Sequence, residues 1–82
     1  MARTKTPANI VGPQVAALRQ KQGFTQEAFA AHCQLRGFDV SRGTISQIEA
    51  RLRCVTDDEV LKLSEIFGVS TEVLYPKKAK RA

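Results

Sequence analysis

The sequence predicts a small all-α domain of five short helices. Apolar residues recur at helical spacing along the chain, with no convincing alternation of period two that would indicate a strand. Helix caps and glycine stops divide the sequence into segments joined by short connections. The 82 residues, 43% of them hydrophobic, are enough for one domain with a modest core.

The first two helices are each delimited by a start signal and a glycine. Gly12 and Pro13 open the first helix, because proline is well tolerated at the first helical position, and Gly23 ends it. Thr25 is the predicted cap of the second helix, which Gly37 closes. The apolar residues of the second helix fall on one face and are expected to be buried: Phe29, Ala30 and Cys33.

The third helix is predicted to begin at Ser41, a good capping residue that follows a connection over residues 38–40. Three apolar residues at helical spacing are expected to face the core: Ile45, Ile48 and Leu52. The outer face then carries small or polar residues: Arg42, Gly43, Ser46 and Gln47. An arginine-rich turn over residues 50–55 leads to the fourth helix.

The fourth helix has the clearest start signal in the chain. Thr56 followed three residues later by Glu59 is the pattern of a capping box, and Gly68 ends the helix. Its apolar stripe is formed by Val60, Leu63 and Phe67. Ser70 is the predicted cap of a short fifth helix, which Pro76 stops.

Positive charge is concentrated at the two ends of the chain. The net charge is +5, yet residues 6–76 carry seven Lys or Arg against eight Asp or Glu, so the other six cations lie in the tails. This distribution divides the chain into a flexible arm over residues 1–9, a domain over residues 10–76 and a basic tail over residues 77–82. Such tails are expected to add nonspecific attraction to a polyanion.

Several function classes are disfavoured by what the sequence lacks. No apolar run reaches the roughly 18 residues of a membrane span and the polar N-terminus has no secretion signal, so we expect a cytoplasmic protein without a membrane partner. Two separate cysteines and one histidine do not form a zinc pattern, and no metal or cofactor is expected. Without a glycine-rich phosphate loop or a paired acid and nucleophile, an enzyme is not expected, and no small-molecule ligand is evident.

The most specific feature is the polar run of the first three helices, which reads LRQKQGFTQEAFA and VSRGTISQIEA. Together with EVLKLSEIFGVSTEVLYP, these segments resemble the Xre/Cro–C1 group of helix-turn-helix regulators, which includes many phage repressors. The resemblance covers roughly residues 11–76. It implies a compact five-helix, repressor-like domain whose third helix, about residues 41–51, lies in the major groove of double-stranded DNA.

The resemblance assigns DNA contacts to residues at the matching positions. Gln26, at the start of the second helix, would contact a phosphate. Arg42, Gly43 and Gln47 would face base edges, where arginine can pair with guanine and glutamine with adenine. The two arginines of the loop after the third helix would touch phosphate; the alternative for them is an ordinary solvated loop. The full set of predicted DNA-contact residues is Gln26, Ser41, Arg42, Gly43, Thr44, Ser46, Gln47, Arg51 and Arg53.

Two departures from the family's pattern bear on how the third helix is held. The connection between the second and third helices is longer than the usual tight turn, and the simplest account is an extended second helix with Phe38 folded back on the core. The usual Asn-Gly after the third helix is replaced by Ala50 and Arg51, so we expect a turn without glycine, formed by a longer third helix. The resemblance also implies a structural ion pair between Arg19 and Glu49.

The function implied by the resemblance is that of a sequence-specific DNA-binding transcriptional regulator. One short helix reads too few base pairs to be selective, so a homodimer on a two-fold symmetric site is expected. Its self-contact surface is predicted on the fifth helix: Val73, Leu74 and Tyr75. The alternative is an antitoxin-like or adaptor module that binds a protein through an exposed apolar patch: Leu52, Val55 and Tyr75.

Overall fold

The computed structural model describes residues 7–76, which fold into four α-helices and a terminal 3₁₀ helix. Their bounds are α1 Gly12–Lys21, α2 Gln26–Leu35, α3 Arg42–Glu49, α4 Asp57–Phe67 and the 3₁₀ helix Thr71–Leu74. No strand occurs in this part of the chain, and the predicted all-α class is confirmed. The fifth predicted helix is present as the 3₁₀ helix, because Pro76 leaves too few residues for an α-helical turn to continue.

Three of the α-helices begin at the predicted capping residues. The side chains of Thr25, Ser41 and Thr56 each accept a hydrogen bond from the backbone N–H three residues ahead. At α4 the capping box is complete, since the Glu59 carboxylate also accepts from the Thr56 N–H at 3.1 Å. Ser70 occupies the predicted cap position of the 3₁₀ helix, but its side chain accepts no capping hydrogen bond there.

The long connection between α2 and α3 is folded back onto the core, as predicted from Phe38. Gly37 ends α2 in the left-handed region at φ 87°, which brings the Phe38 N–H within 2.9 Å of the Cys33 carbonyl. Phe38 and Val40 are both buried. The Gln34 side chain donates to the Val40 carbonyl at 2.6 Å, so the connection is tied to the end of α2 by local hydrogen bonds.

The core is formed by the apolar stripes of all four α-helices and by residues of the connections. The side chains with no exposure are Val15, Phe29, Cys33, Ile45, Ile48, Leu63 and Leu74. Phe29 and Phe67 stack with their ring centroids 4.8 Å apart, which joins α2 to α4. Because α3 packs against both α1 and α2, its inner face is sealed and its opposite face is left for the solvent.

The predicted burial of Leu52 is wrong, since 73% of its surface is exposed. The third helix ends at Glu49, and the chain turns through Arg51, the one non-glycine residue in the described range with positive φ, at 65°. The helical spacing that predicts burial of Leu52 therefore stops before that residue. The expected longer third helix is wrong for the same reason.

The inner end of the predicted N-terminal arm is part of the folded domain. The Ala8 N–H donates to the Arg51 carbonyl at 3.1 Å, and Asn9 is buried. These two residues of the predicted arm are held against the end of α3, Ala8 by its backbone hydrogen bond and Asn9 by burial and its side-chain hydrogen bonds. The rest of the arm, residues 1–6, and the basic tail over residues 77–82 lie outside the described residues.

Over residues 7–76, no helix combines the length and the apolar character that a membrane crossing needs. The two cysteines are both free thiols, with Cys33 buried and Cys54 exposed. Burial raises the pKa of the Cys33 thiol to about 12, so this residue is a buried apolar filler in the neutral form.

Candidate nucleic-acid interface

The outer face of α3 is exposed because its inner face is buried. Ile45 and Ile48 have no exposure, and this fixes the rotation of the helix about its own axis. Arg42 and Gln47 are consequently exposed on the opposite face. Of the other predicted contact residues on this helix, Ser41 and Gly43 are exposed, and Thr44 and Ser46 are half-buried at its edges.

The N-terminal tip of α3 is a rigid cap with free backbone donors. The Ser41 hydroxyl lies 3.2 Å from both the N–H and the hydroxyl of Thr44. The first N–H groups of a helix have no partner inside it, so those of Arg42 and Gly43 are available to a phosphate. A Cβ built on Gly43 would meet only the Ser41 hydroxyl, at 3.7 Å. The fold therefore has room for a side chain here, and glycine simply leaves the tip flat.

The C-terminal end of α3 is held by a hydrogen-bonded network around Glu49. The Arg19 Nε lies 2.6 Å from one carboxylate oxygen and its Nη2 lies 3.0 Å from the other, so the predicted ion pair is present. The same Arg19 donates to the Phe24 carbonyl at 2.8 Å. Its pKa is raised, chiefly by the hydrogen bond to Glu49, so the guanidinium stays charged although its side chain is only 10% exposed.

Gln26 belongs to this network, which the sequence did not indicate. Its Nε2 donates to Glu49 at 2.9 Å, so the amide predicted to contact phosphate is oriented by the end of α3. One amide hydrogen and the backbone N–H at the start of α2 are left to face a phosphate. The contact was hard to predict because Gln26 and Glu49 are 23 positions apart and meet only when α2 packs on α3.

The two arginines of the α3–α4 turn have different surroundings. Arg53 forms a two-pronged ion pair with Glu59, with nitrogen–oxygen distances of 3.1 and 3.2 Å. The hydrogen bond from Arg53 is the main cause that lowers the pKa of Glu59. Arg51 has no carboxylate partner within residues 7–76, and its Nε donates to the Asn9 carbonyl at 3.2 Å. Within residues 7–76, Arg53 is thus paired with a carboxylate, whereas Arg51 is not.

Asn9 is the residue of this region that the sequence analysis missed. Its side chain bonds to the backbone of Gly12, Ile48 and Arg53, which connects the start of α1 to the end of α3. An asparagine shortly before a helix is a known capping signal, and this signal was available in the sequence. Its long-range partners were not, because they depend on how α1 and α3 pack.

The apolar patch predicted for a protein-binding module is only partly present. Leu52 is 73% exposed and Tyr75 is 41% exposed. Val55, in contrast, is half-buried and packs against the core. In residues 7–76, no group of three or more His, Cys, Asp or Glu side chains is arranged to hold a metal ion.

Comparisons with known proteins agree with this geometry. A family model described as helix-turn-helix matches residues 15–74. The fold is similar to that of the restriction-modification controller protein C.AhdI from Aeromonas hydrophila, with a TM-score of 0.67 and 23% identity over 79% of this chain and 87% of that one. It is also similar to the DNA-binding domain of BldD, with a TM-score of 0.74 and 22% identity over 90% of this chain and 100% of that one. No curated protein sequence matches the chain.

Proposed function

The chain belongs to the helix-turn-helix family of the Cro/C1 type, and we propose that it acts as a sequence-specific DNA-binding regulator by placing the outer face of α3 in the major groove of double-stranded DNA. The observation that carries the proposal is the exposure of Arg42 and Gln47 on a helix whose other face, Ile45 and Ile48, is buried. A helix fits the major groove, and side chains at its tip and outer face reach the base edges.

Each exposed side chain of α3 suits a distinct contact. Arg42 can donate two parallel hydrogen bonds to guanine, and Gln47 can donate to and accept from adenine. Thr44 and Ser46 lie at the edges of the exposed face, where hydroxyls can donate to phosphate or sugar oxygens. The flat tip at Gly43 lets the backbone come close to the groove floor.

We also propose that the protein acts as a homodimer in the cytoplasm. The eight residues of α3 are about 12 Å long, which spans only a few base pairs, so one copy has little selectivity. The proposed self-contact surface is the region around the 3₁₀ helix, where Val73 and Tyr75 are 40% and 41% exposed. Leu74, which the sequence analysis placed in the same surface, is completely buried and belongs to the core.

The proposal is tested by selecting bound sites from random duplex DNA and measuring affinity for the selected site. We expect a two-fold symmetric motif and an affinity that falls steeply with salt, because each neutralised phosphate releases counterions. Arg42→Ala and Gln47→Ala should each weaken binding about tenfold and relax the preference at one position of each half-site.

Arg36→Ala is the matched control, because it removes one exposed positive charge at the end of α2, in a groove that it lines with Lys62 and Glu65 of α4. It should leave the sequence preference unchanged. Binding that shows no sequence preference and survives the Arg42 and Gln47 substitutions would refute the regulator mechanism and favour the protein-interaction alternative.

A further inference from the structure

The start of α1 and the end of α3 meet without space for a side chain. A Cβ built on Gly12 would lie 2.3 Å from the Ile48 carbonyl oxygen and 3.1 Å from the Cγ of Arg51. A glycine is therefore required at this point by the close approach of the two helix ends. The Arg51 side chain lies against Gly12, which limits the positions that the Arg51 guanidinium can occupy.

Asn9 fills the remaining gap at this junction with hydrogen bonds. Its Nδ2 donates to the Ile48 carbonyl at 3.1 Å and to the Arg53 carbonyl at 2.8 Å, and its Oδ1 accepts from the Gly12 N–H at 2.8 Å. The residue at the cap position of α1, Val11, has no side-chain acceptor, so Asn9 caps this helix instead. One buried amide thus satisfies polar groups of three separate segments.

The backbone of the same segment holds Arg51. The Ala8 N–H donates to the Arg51 carbonyl at 3.1 Å, and the Arg51 Nε donates to the Asn9 carbonyl at 3.2 Å. Within residues 7–76, no hydrogen bond engages the two terminal nitrogens of this guanidinium. The side chain is half-exposed, so these nitrogens are accessible while the base of the group is tethered.

The conformation of Arg51 is one that glycine adopts at lower cost. Its φ of 65° is in the left-handed region, where a Cβ approaches the following carbonyl oxygen. If the residue at this turn had only a structural role, glycine would be favoured there. An arginine in this strained conformation, with its Nε tethered and its terminal nitrogens unengaged within residues 7–76, instead indicates a binding role.

We propose that Asn9 is a positioning residue that holds Arg51 as a preorganised contact for a DNA phosphate at the C-terminal end of α3. This inference rests on the proposed placement of α3 in the major groove. Arg51 lies just beyond the C-terminal end of α3, whereas Arg42 lies at its N-terminal tip, so with Arg42 at the base edges Arg51 can reach the phosphate backbone at the other end of the helix. Tethering the guanidinium before binding removes part of the entropy that a free arginine loses on contact.

The central test is Arg51→Gly, because this change separates the two roles. Glycine suits the left-handed turn, so the melting temperature should stay the same or rise. Affinity for the selected site should fall about tenfold, and the slope of log K against log salt concentration should become shallower by about one for each protomer bound, or about two for the proposed dimer. Arg36→Ala should leave the slope nearly unchanged, since Arg36 lines a groove with Lys62 of α4.

Arg53→Gln is the second comparison, and the opposite pattern is expected. This change breaks the ion pair with Glu59, so the melting temperature should fall while the salt slope stays unchanged. If the salt slope became shallower for Arg53→Gln and stayed unchanged for Arg51→Gly, the phosphate contact would belong to Arg53, and the proposal would be overturned.

The role of Asn9 is tested by a double-mutant cycle of Asn9→Ala and Arg51→Gly, measured below the melting temperature of each variant. If Asn9 acts through Arg51, Asn9→Ala should weaken DNA binding in the unchanged protein and have no further effect in Arg51→Gly. Asn9→Asp, which keeps the acceptor for Gly12, serves if the alanine variant does not fold. Additive losses would show that Asn9 has only a structural role.

The outcomes also separate this inference from the function it rests on. If the unchanged protein shows no salt-dependent binding to the selected duplex, the groove placement and the inference both fail. If Arg42→Ala reduces binding as expected but Arg51→Gly retains the full affinity and slope, only the Asn9–Arg51 inference is overturned.

Discussion

Glu49 is the residue through which three helices of the domain are joined. It accepts two hydrogen bonds from Arg19 of α1 and one from Gln26 of α2 while it ends α3. Both members of the ion pair are about nine-tenths buried, so their charges depend on each other more than surface charges do. Glu49 thus links α3, the helix proposed to enter the groove, to both α1 and α2.

Glu49→Ala is expected to reduce the free energy of unfolding by about 3 kcal/mol, because it leaves the buried Arg19 guanidinium without a carboxylate. Urea unfolding followed by circular dichroism measures the loss. The double variant Arg19→Met with Glu49→Leu should lose less, since no unpaired charge remains. A double variant as unstable as Glu49→Ala would contradict the assignment of the loss to a buried charge.

The ion pair between Arg53 and Glu59 should make stability depend on acid pH. The hydrogen bond from Arg53 lowers the pKa of Glu59 below 4.5, the ordinary value of a glutamate side chain, so the carboxylate contributes stability above that pH. The contribution is lost as the pH falls through the lowered pKa of the folded state. It should be no larger than about 1 kcal/mol, because both side chains are partly exposed.

Glu59→Gln provides the measurement, because the amide retains an oxygen for the Thr56 N–H but cannot titrate. Unfolding free energies between roughly pH 5 and pH 2 should fall less for this variant than for the unchanged protein. Parallel curves for the two proteins would show that Glu59 has no lowered pKa in the folded state.

At the scale of elements, the α2–α3 connection decides how the two helices of the DNA-reading pair are held. A long loop would ordinarily leave their angle loose, but this one places Phe38 and Val40 in the core. Leu35, three residues before Phe38, is 86% exposed at the end of α2. Phe38 therefore packs on the core, whereas Leu35, an apolar neighbour at the end of α2, does not.

Phe38→Ala should lower the free energy of unfolding by about 3 kcal/mol, because it leaves a cavity under the connection. Leu35→Ala is the matched control and should change it by less than about 0.5 kcal/mol, since that side chain is in water. Thermal melts of both variants decide the point. Equal losses would mean that the connection is packed differently from the arrangement described here.

At the scale of the whole molecule, the free apolar surface bears on how copies associate. Val73 and Tyr75 are exposed beside the buried Leu74, and a shallow groove lined by Gln14 and Glu72 lies next to them. An exposed aromatic residue with an apolar neighbour is typical of the centre of a protein interface. The surface lies on the 3₁₀ helix and α1, and no predicted base-contact residue is part of it.

Tyr75→Glu should therefore convert the proposed homodimer to a monomer, because it places a charge in the apolar contact. Sedimentation velocity over a range of concentrations without DNA measures the change. Leu61→Glu is the control, since Leu61 is 48% exposed on α4, outside the proposed surface. Loss of the dimer in Leu61→Glu with retention in Tyr75→Glu would place the interface on α4.

Much of the fold and the outward face of α3 were predictable because their signals are local. The caps at Thr25, Ser41 and Thr56 and the glycine stops act over a few neighbouring positions. The exposure of Arg42 and Gln47 followed from the helical period of the buried isoleucines. The same reasoning wrongly predicted the burial of Leu52, because periodicity does not reveal where a helix ends.

The sequence by itself determined which segments are helical and which face of α3 is turned outward, because capping and periodicity depend only on residues within one or two turns. The tertiary structure alone decided which polar side chains are free. Gln26 meets Glu49 across 23 positions and Asn9 meets Arg53 across 44, so their partners exist only after the helices have packed. The same packing ties the Arg51 Nε to the Asn9 carbonyl across 42 positions, because a hydrogen bond between distant segments depends on the angle at which their helices cross.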